Sequence, residues 1–318
     1  MQAAIVKEKG AFPVIGEIAS PVAAEGQVLV NVQAAGLSRL SKFRSMGLHY
    51  SSELTFPLVA GVDGVGTLED GSRVYFAMTT APYGSLAEQT MVSEKVIIRL
   101  PDGIDDVTAA AIANPAMSSW AALKFRAHLK PGQTVLINGA TGSSGSLAVQ
   151  IAKSIGAQKV IVTGRNESKL QALEADQKIA FDMTVNNGGT SFENALQPVI
   201  AEGVDIVLDY LWGESAIAIM SAIAKNSTDR ATRFVSIGTS AGQENIELPS
   251  SILRSSKIEL VGSGSKSVSK LEMISSVKDV FELVAEGQIT IATTEFSLED
   301  IEEAWSAPLM PRAVVKIK

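Results

Sequence analysis

A chain of 318 residues, 46% hydrophobic and with 26 glycines, is long enough for two domains with separate cores and has the composition of a globular α/β protein, not of a disordered or fibrous one. Its formal net charge of −7 argues against a nucleic-acid or anionic-membrane surface. The absence of cysteine excludes disulfides, thiolate zinc sites, iron–sulfur centres and a cysteine nucleophile, and the histidines are only two, His49 and His128.

The opening MQAAIVKEKG meets charge at Lys7 and Glu8 before a long apolar run forms, so it does not read as a secretory signal, and the cytoplasm is the expected compartment. Short β-type runs at residues 27–32, 74–77 and 95–100, separated by Gly, Pro and Ser, predict a compact and mainly antiparallel β unit. Residues 105–127 turn helical and Ala-rich. Within them, residues 108–123 are interrupted by Asn114 and Pro115 and are too polar to span a bilayer, so no membrane partner is expected.

From Thr134 onward, strands alternate with helical segments, the candidate strands being 134–138, 159–163, 183–185, 205–209, 233–238 and 257–261. Six strands with intervening helices predict a doubly wound parallel sheet. An amphipathic helix through Ile274, Val277, Phe281 and Val284 closes at Gly287, and strand-like runs at 289–293 and 313–317 are expected to rejoin the β unit. The acidic cluster Glu299-Asp300-Glu302-Glu303 reads as a helix start with a solvated face.

Residues 134–156, TVLINGATGSSGSLAVQIAKSIG, organise the rest of the chain. An apolar run breaks into Gly139-Ala140-Thr141-Gly142-Ser143-Ser144-Gly145, then Leu147, Ile151 and Ile155 recur on one helix face, and Gly156 stands where a left-handed stop belongs. A pyrophosphate has to approach bare backbone N–H groups at a helix N-terminus. Gly139 permits the tight turn, Gly142 clears the phosphate's path, and Gly145 lets the helix pack on the strand. The bland alternative is a glycine-rich turn with no ligand.

The next strand ends in Thr163-Gly164-Arg165-Asn166. NAD sites carry an acid about 20 residues on from the glycine turn to bind the ribose hydroxyls, whereas NADP sites supply a cation. Arg165 lies 20 residues beyond Gly145 with no acid before it on the strand, and Lys169 follows one helical turn later. A guanidinium fork suits a 2′-phosphate, which selects NADPH; the other reading is a solvated Arg at a helix start.

Taken together, the stretch from Gly26 to Val30, Gly36-Leu37-Ser38 running to Gly47, Gly61-Val62-Asp63-Gly64-Val65-Gly66, Asn114-Pro115, the glycine turn and residues 298–305 resemble the zinc-free quinone oxidoreductase branch of the medium-chain dehydrogenase/reductase superfamily. The resemblance covers essentially the whole chain. It implies a GroES-like catalytic domain from residues 1–117 and 265–318, a Rossmann NADPH-binding domain from residues 118–264, and hydride transfer from NADPH to a quinone or an α,β-unsaturated carbonyl. The positions where zinc-dependent relatives carry Cys, His and Cys correspond here to Ser38, Val62 and Asn114, and a valine offers a zinc ion no lone pair.

By the same resemblance Ser38 faces the nicotinamide and donates to the substrate carbonyl; its bland reading is a Ser satisfied by local backbone. Tyr50 is a second candidate to position substrate or relay a proton, against an ordinary packed Tyr, and His49 beside it is an incidental loop residue. Asn114 and Ser118 resemble the nicotinamide-ribose positions, although Asn followed by Pro is also a turn signal. Gly238, Thr239, Gly262 and Ser263 fall where the family's cofactor edge lies. Two further readings stay open: an enoyl-thioester reductase acting on CoA or carrier-protein substrates, and a non-catalytic NADPH-binding redox sensor. The strand at 257–261 would be a sheet edge, and relatives pair that edge across a two-fold axis, which implies a homodimer.

Overall fold

A computed structural model describes residues 1–48, 55–226 and 229–317. The chain divides into two compact units, Met1–Pro115 with Val277–Lys318, and Ala116–Ser276.

The first unit begins with β1 (Gln2–Val6), β2 (Val14–Glu17), β3 (Gln27–Gly36), α1 (Arg39–Ser45) and β4 (Leu58–Val59). It continues with β5 (Asp63–Thr67), β6 (Arg73–Ala77), β7 (Gln89–Ser93) and β8 (Ile97–Arg99), and α2 (Asp106–Ala121) follows. One sheet has the order β2-β1-β4 and is antiparallel. In the other, β3 pairs antiparallel with both β5 and β7, and its alternating Val30 and Val32 bury one face with Val74, Phe76 and Val92. The β-rich expectation for this region is met. At residues 95–100 a 3₁₀ turn, Glu94–Val96, precedes the short β8.

The second unit contains β9 (Thr134–Asn138), α3 (Ser143–Ile155), β10 (Lys159–Gly164), α4 (Glu167–Gln171), β11 (Gln177–Ala180), α5 (Gly188–Glu202) and β12 (Ile206–Asp209). After these come α6 (Gly213–Lys225), β13 (Thr232–Ser236), α7 (Ser250–Arg254) and β14 (Ile258–Gly262). Its six strands are all parallel in the order β11-β10-β9-β12-β13-β14, a doubly wound sheet whose order reverses between β9 and β12. Val135, Leu136 and Ile137 of the central β9 are fully buried, as a strand covered on both faces requires. Leu147 and Ile151 bury the inner face of α3, which closes on Gly156 in the left-handed conformation at φ 104.

The chain ends with α8 (Lys270–Ala285), β15 (Thr293–Ser297), α9 (Ile301–Ser306) and β16 (Arg312–Lys316). Among the described residues, no helix is long and apolar enough to cross a membrane.

Two strand expectations are corrected. Residues 183–185 form a turn: the Asp182 carboxylate accepts from the Thr184 N–H at 2.9 Å and its hydroxyl at 2.7 Å, an Asx-type turn that competes with extension. The third strand is instead β11, a half-exposed edge whose Gln and Lys mask its periodicity. The run at 289–293 gives way to β15. Pro311 has no N–H, so the β16 ladder begins at Arg312, whose N–H reaches Ala292 O at 2.8 Å and sets Thr293 opposite it.

Candidate functional site

The turn after β9 is built for close approach. Gly139 has φ 89, and a Cβ there would stand 2.8 Å from Leu211 Cγ; a Cβ on Gly145 would stand 2.5 Å from the Gly139 carbonyl oxygen. Both distances forbid any other residue without movement of the backbone or of Leu211. The N–H groups of Gly139 and Ala140 donate to Thr163 O at 3.0 Å each, tying the turn to β10. Thr141 lies against Gly164 on the same side.

α3 starts at Ser143 with Gly142 as its N-cap, a residue without a side chain to cap it. The positive end of the helix dipole is therefore directed out past Gly142, where a Cβ would meet only Gly139 O at 3.9 Å. Ser144 is braced from the start of the second unit: Ser119 Oγ donates to its carbonyl at 2.9 Å, and Ser118 Oγ donates to Ser144 Oγ at 3.4 Å.

On the neighbouring strand Thr163 is fully buried and donates to Asn138 Oδ1 at 2.7 Å, so its hydroxyl joins β10 to β9. Arg165 is exposed just beyond Gly164. Asn166 caps α4 by accepting from the Lys169 N–H at 2.9 Å, which fixes the backbone that carries the exposed Lys169. Hydrogen bonds from Thr184 hold the nearby Asp182 carboxyl below the usual carboxylate range, and the Arg165 charge adds to that effect.

Gly238 donates its N–H to Asp209 O at 3.3 Å, and Thr239 O accepts from Gly242 N at 2.9 Å. At the end of β14, Gly262 O accepts from Arg126 Nε at 2.7 Å, and Ser263 N donates to Ser236 O at 2.8 Å. The carboxyl ends of β9, β10, β12, β13 and β14 thus gather the glycine turn, Arg165 and both later glycine loops.

Sequence reasoning missed Asp209. It closes β12, is fully buried, and accepts from Asn138 Nδ2 at 2.8 Å, Leu211 N at 3.0 Å and Trp212 N at 3.1 Å. Asn138 Nδ2 also donates to Ser215 Oγ at 2.9 Å, so Thr163, Asn138, Asp209 and Ser215 form one buried chain across three strands. Burial pushes the Asp209 carboxyl up to about 6, against the pull of its donors. The available signal was an acid ending an otherwise apolar run, IVLD.

In the first unit Ser38 is 5% exposed and caps α1: its Oγ accepts from Ser41 N at 2.8 Å, and Ser41 Oγ accepts from Ser38 N at 2.7 Å. Asn114 is half-buried inside α2, so Asn114-Pro115 is part of a helix and makes no turn. Tyr50 and His49 lie outside the described residues. A shallow open pocket is lined by Arg44, Ser45, Gly61, Val62, Thr79 and Tyr83 with apolar Leu58 and Val59. Next to Val62, Asp63 is 2% exposed and accepts from the Tyr75 hydroxyl at 3.0 Å, with the buried Arg312 guanidinium nearby.

Compared with known proteins, residues 145–286 match a family model described as zinc-binding dehydrogenase. A probable NADPH-dependent quinone reductase of Emericella nidulans is 26% identical over 316 residues, covering 88% of this chain and 88% of that protein. The quinone oxidoreductase of Pongo abelii is 28% identical over 206 residues; that similarity takes in 61% of this chain and spans 60% of the relative's length. The solved quinone oxidoreductase of Thermus thermophilus, also determined in complex with NADPH, is 25% identical with a TM-score of 0.76 and full coverage of both chains, 100% each.

Proposed function

We propose, for a chain that belongs to the medium-chain dehydrogenase/reductase superfamily and is of its quinone oxidoreductase type, zinc-independent transfer of hydride from NADPH to a quinone or an α,β-unsaturated carbonyl. The observation that carries this reading is the turn after β9, where Gly139 and Gly145 leave room for no side chain and α3 starts from a glycine N-cap with open space around it. The residues present fit a dinucleotide. Gly139, Ala140, Thr141, Gly142, Ser143 and Ser144 receive the pyrophosphate with Gly145 packing α3 against the turn, while Gly164, Arg165 and Lys169 receive the adenosine ribose and its 2′-phosphate, with the buried Thr163 tying β10 to β9 beneath them. Asn114, Ser118, Gly238, Thr239, Gly262 and Ser263 serve the nicotinamide end.

When bound, NADPH supplies the hydride. Negative charge then grows on the substrate's carbonyl oxygen, and Ser38 is our candidate donor to it, with Tyr50 as a second. Among the described residues, the Ser38 hydroxyl donates to Ser41 Oγ at 3.2 Å, a weak bond to give up. At the position corresponding to the zinc histidine, the Val62 side chain contributes an apolar wall to the pocket. In this reading the first unit is the GroES-like catalytic domain and the second the Rossmann domain, in a cytoplasmic homodimer paired through β14, an edge strand with Leu260 40% exposed.

The test is oxidation of NADPH and NADH, followed by nicotinamide absorbance, against a benzoquinone, 9,10-phenanthrenequinone, a short enone and crotonyl-CoA. Quinone or enone turnover with an NADPH preference that Arg165→Ala removes is the expected result. Absence of turnover with all four acceptors, or preference for NADH, overturns it. Metal analysis finding stoichiometric zinc would count against the zinc-free chemistry, and a single 33.4 kDa species in sedimentation across concentrations would count against the dimer.

A further inference from the structure

Asp209 has no part in the hydride chemistry, yet it ends the strand that flanks β9 where the sheet order reverses. The four residues that start there touch three segments of the NADPH site. The Tyr210 hydroxyl is 2.7 Å from Ser119 Oγ, which in turn donates to Ser144 O in the first turn of α3. Leu211 packs against Gly139 so closely that it leaves no room for a Cβ there. The carbonyls of Asp209, Tyr210 and Leu211 accept from Gly238 N at 3.3 Å, Ser240 N at 3.1 Å and Ala241 N at 3.0 Å.

The turn itself is held in an uncommon backbone conformation. Trp212 has φ 61 and ψ −157, a region that is essentially restricted to glycine. A bulky aromatic residue stays there only when its surroundings over-determine it. Two restraints do so here. Both carboxylate oxygens of Asp209 accept from the Trp212 N–H at 3.1 Å, and the Trp212 side chain packs against the core that α5 and α6 build. If the carboxylate's hold is lost, the Trp212 peptide is free to return to negative φ, and Leu211 must move with it relative to Gly139.

We infer that Asp209 is a positioning residue for the cofactor: its carboxylate holds Trp212 in a glycine-only conformation and thereby registers the phosphate-binding turn against the 238–241 loop. The inference rests on the NADPH reading above. It assigns Asp209 no contact with the nucleotide, so its effect has to pass through Trp212.

The experiment compares the wild-type chain, Asp209→Asn, Trp212→Gly and the double variant, using NADPH itself as the probe. NADPH titration of the wild type comes first, since failure to bind there removes the NADPH reading and is distinct from any variant result. Asp209→Asn is expected to weaken NADPH binding about tenfold and to raise the KM for NADPH by a similar factor, with kcat at saturating NADPH within twofold. Adding Trp212→Gly should restore most of the affinity, because glycine takes that backbone conformation without the carboxylate. Amide hydrogen exchange without NADPH should speed up at residues 139–145 and 238–241 in Asp209→Asn and slow again in the double variant. Unchanged affinity in a folded Asp209→Asn overturns the inference. So does a loss of affinity that Trp212→Gly fails to rescue, which would assign Asp209 a direct electrostatic role. If Asp209→Asn does not fold, the exchange comparison of Trp212→Gly with wild type decides: equal protection at 139–145 supports a turn shape that glycine can sustain, and lost protection refutes it.

Discussion

Among the described residues, each unit buries one carboxylate deeply, and the two are served differently. Asp209 in the second unit and Asp63 in the first are 0% and 2% exposed, and burial pushes both up to about 6. Asp209 is surrounded by fixed donors, namely Asn138 Nδ2 from the neighbouring β9 and the N–H groups of Leu211 and Trp212 just past its own strand end. Asp63 has a single donor, the Tyr75 hydroxyl, on Oδ2; its Oδ1 and the Nε and Nη2 of Arg312 have no partner among the described residues. The guanidinium is near enough to pull the Asp63 carboxyl down, yet among the described residues no hydrogen bond or ion pair joins the two. Local amides fix direction as well as charge, so the Asp209 cluster specifies a geometry. A guanidinium at a distance supplies charge without direction, and the Asp63 cluster is a compensated burial cost.

The largest expected effect breaks the Asp63 side of this comparison. Arg312→Met leaves Asp63 buried with only a phenol to offset its charge, and should cost roughly 3–5 kcal/mol in urea unfolding. Adding Asp63→Asn removes the orphaned charge and should recover most of that loss. No comparable recovery is available to Asp209: pairing Asp209→Asn with Asn138→Leu still leaves the Leu211 and Trp212 amides short of a charged acceptor. Equal recovery in both double variants would erase the distinction.

A pH series sharpens it at intermediate size. The Asp209 carboxyl moves from 3.8 to about 6 on burial, so the folded state binds its proton more tightly than the unfolded chain does. The associated stability is fully present below pH 3.8 and is lost as the pH rises through about 6. A shift of that size corresponds to about 3 kcal/mol. The stability difference between wild type and Asp209→Asn should therefore move against wild type by that order across the window, in urea melts at stepped pH. A flat difference would mean the carboxyl titrates as an ordinary exposed acid.

The contrast also explains what was legible in the sequence. The turn from Gly139 to Gly145 and the helix after it could be read because an apolar strand, closely spaced glycines and the Leu147 and Ile151 periodicity all follow from packing one backbone tightly on another. The parallel sheet was readable from apolar runs, apart from β11, whose Gln and Lys resemble loop. Asp209 was hidden because one acid at the end of a strand is common, and its meaning comes from Asn138 and Thr163, far away in the chain. Trp212 carried no signal at all, since nothing in a tryptophan announces positive φ. Ser38 was read two ways, as a donor to substrate and as a serine satisfied by local backbone, and the cap it forms with Ser41 three residues later is the local arrangement of the second reading.

At Ser38 the logic of local donors applies on its smallest scale. Its Oγ and that of Ser41 satisfy each other's backbone N–H groups at the start of α1, an arrangement worth about 1 kcal/mol. Ser38→Ala should lose that amount, visible as a small drop in thermal midpoint, while Ser38→Thr keeps both acceptor and hydroxyl and should lose less. Activity separates the cap from the proposed donor role. If Ser38 gives a hydrogen bond to the developing oxyanion, the alanine variant falls about a hundredfold in kcat with little change in KM for NADPH, as removal of one such donor does, and threonine retains most of it. If Ser38 only caps the helix, alanine and threonine turn over alike once corrected for folded fraction. In that case the Ser38 hydroxyl belongs to the fold, and the donor to the carbonyl has to be sought elsewhere, beginning with Tyr50.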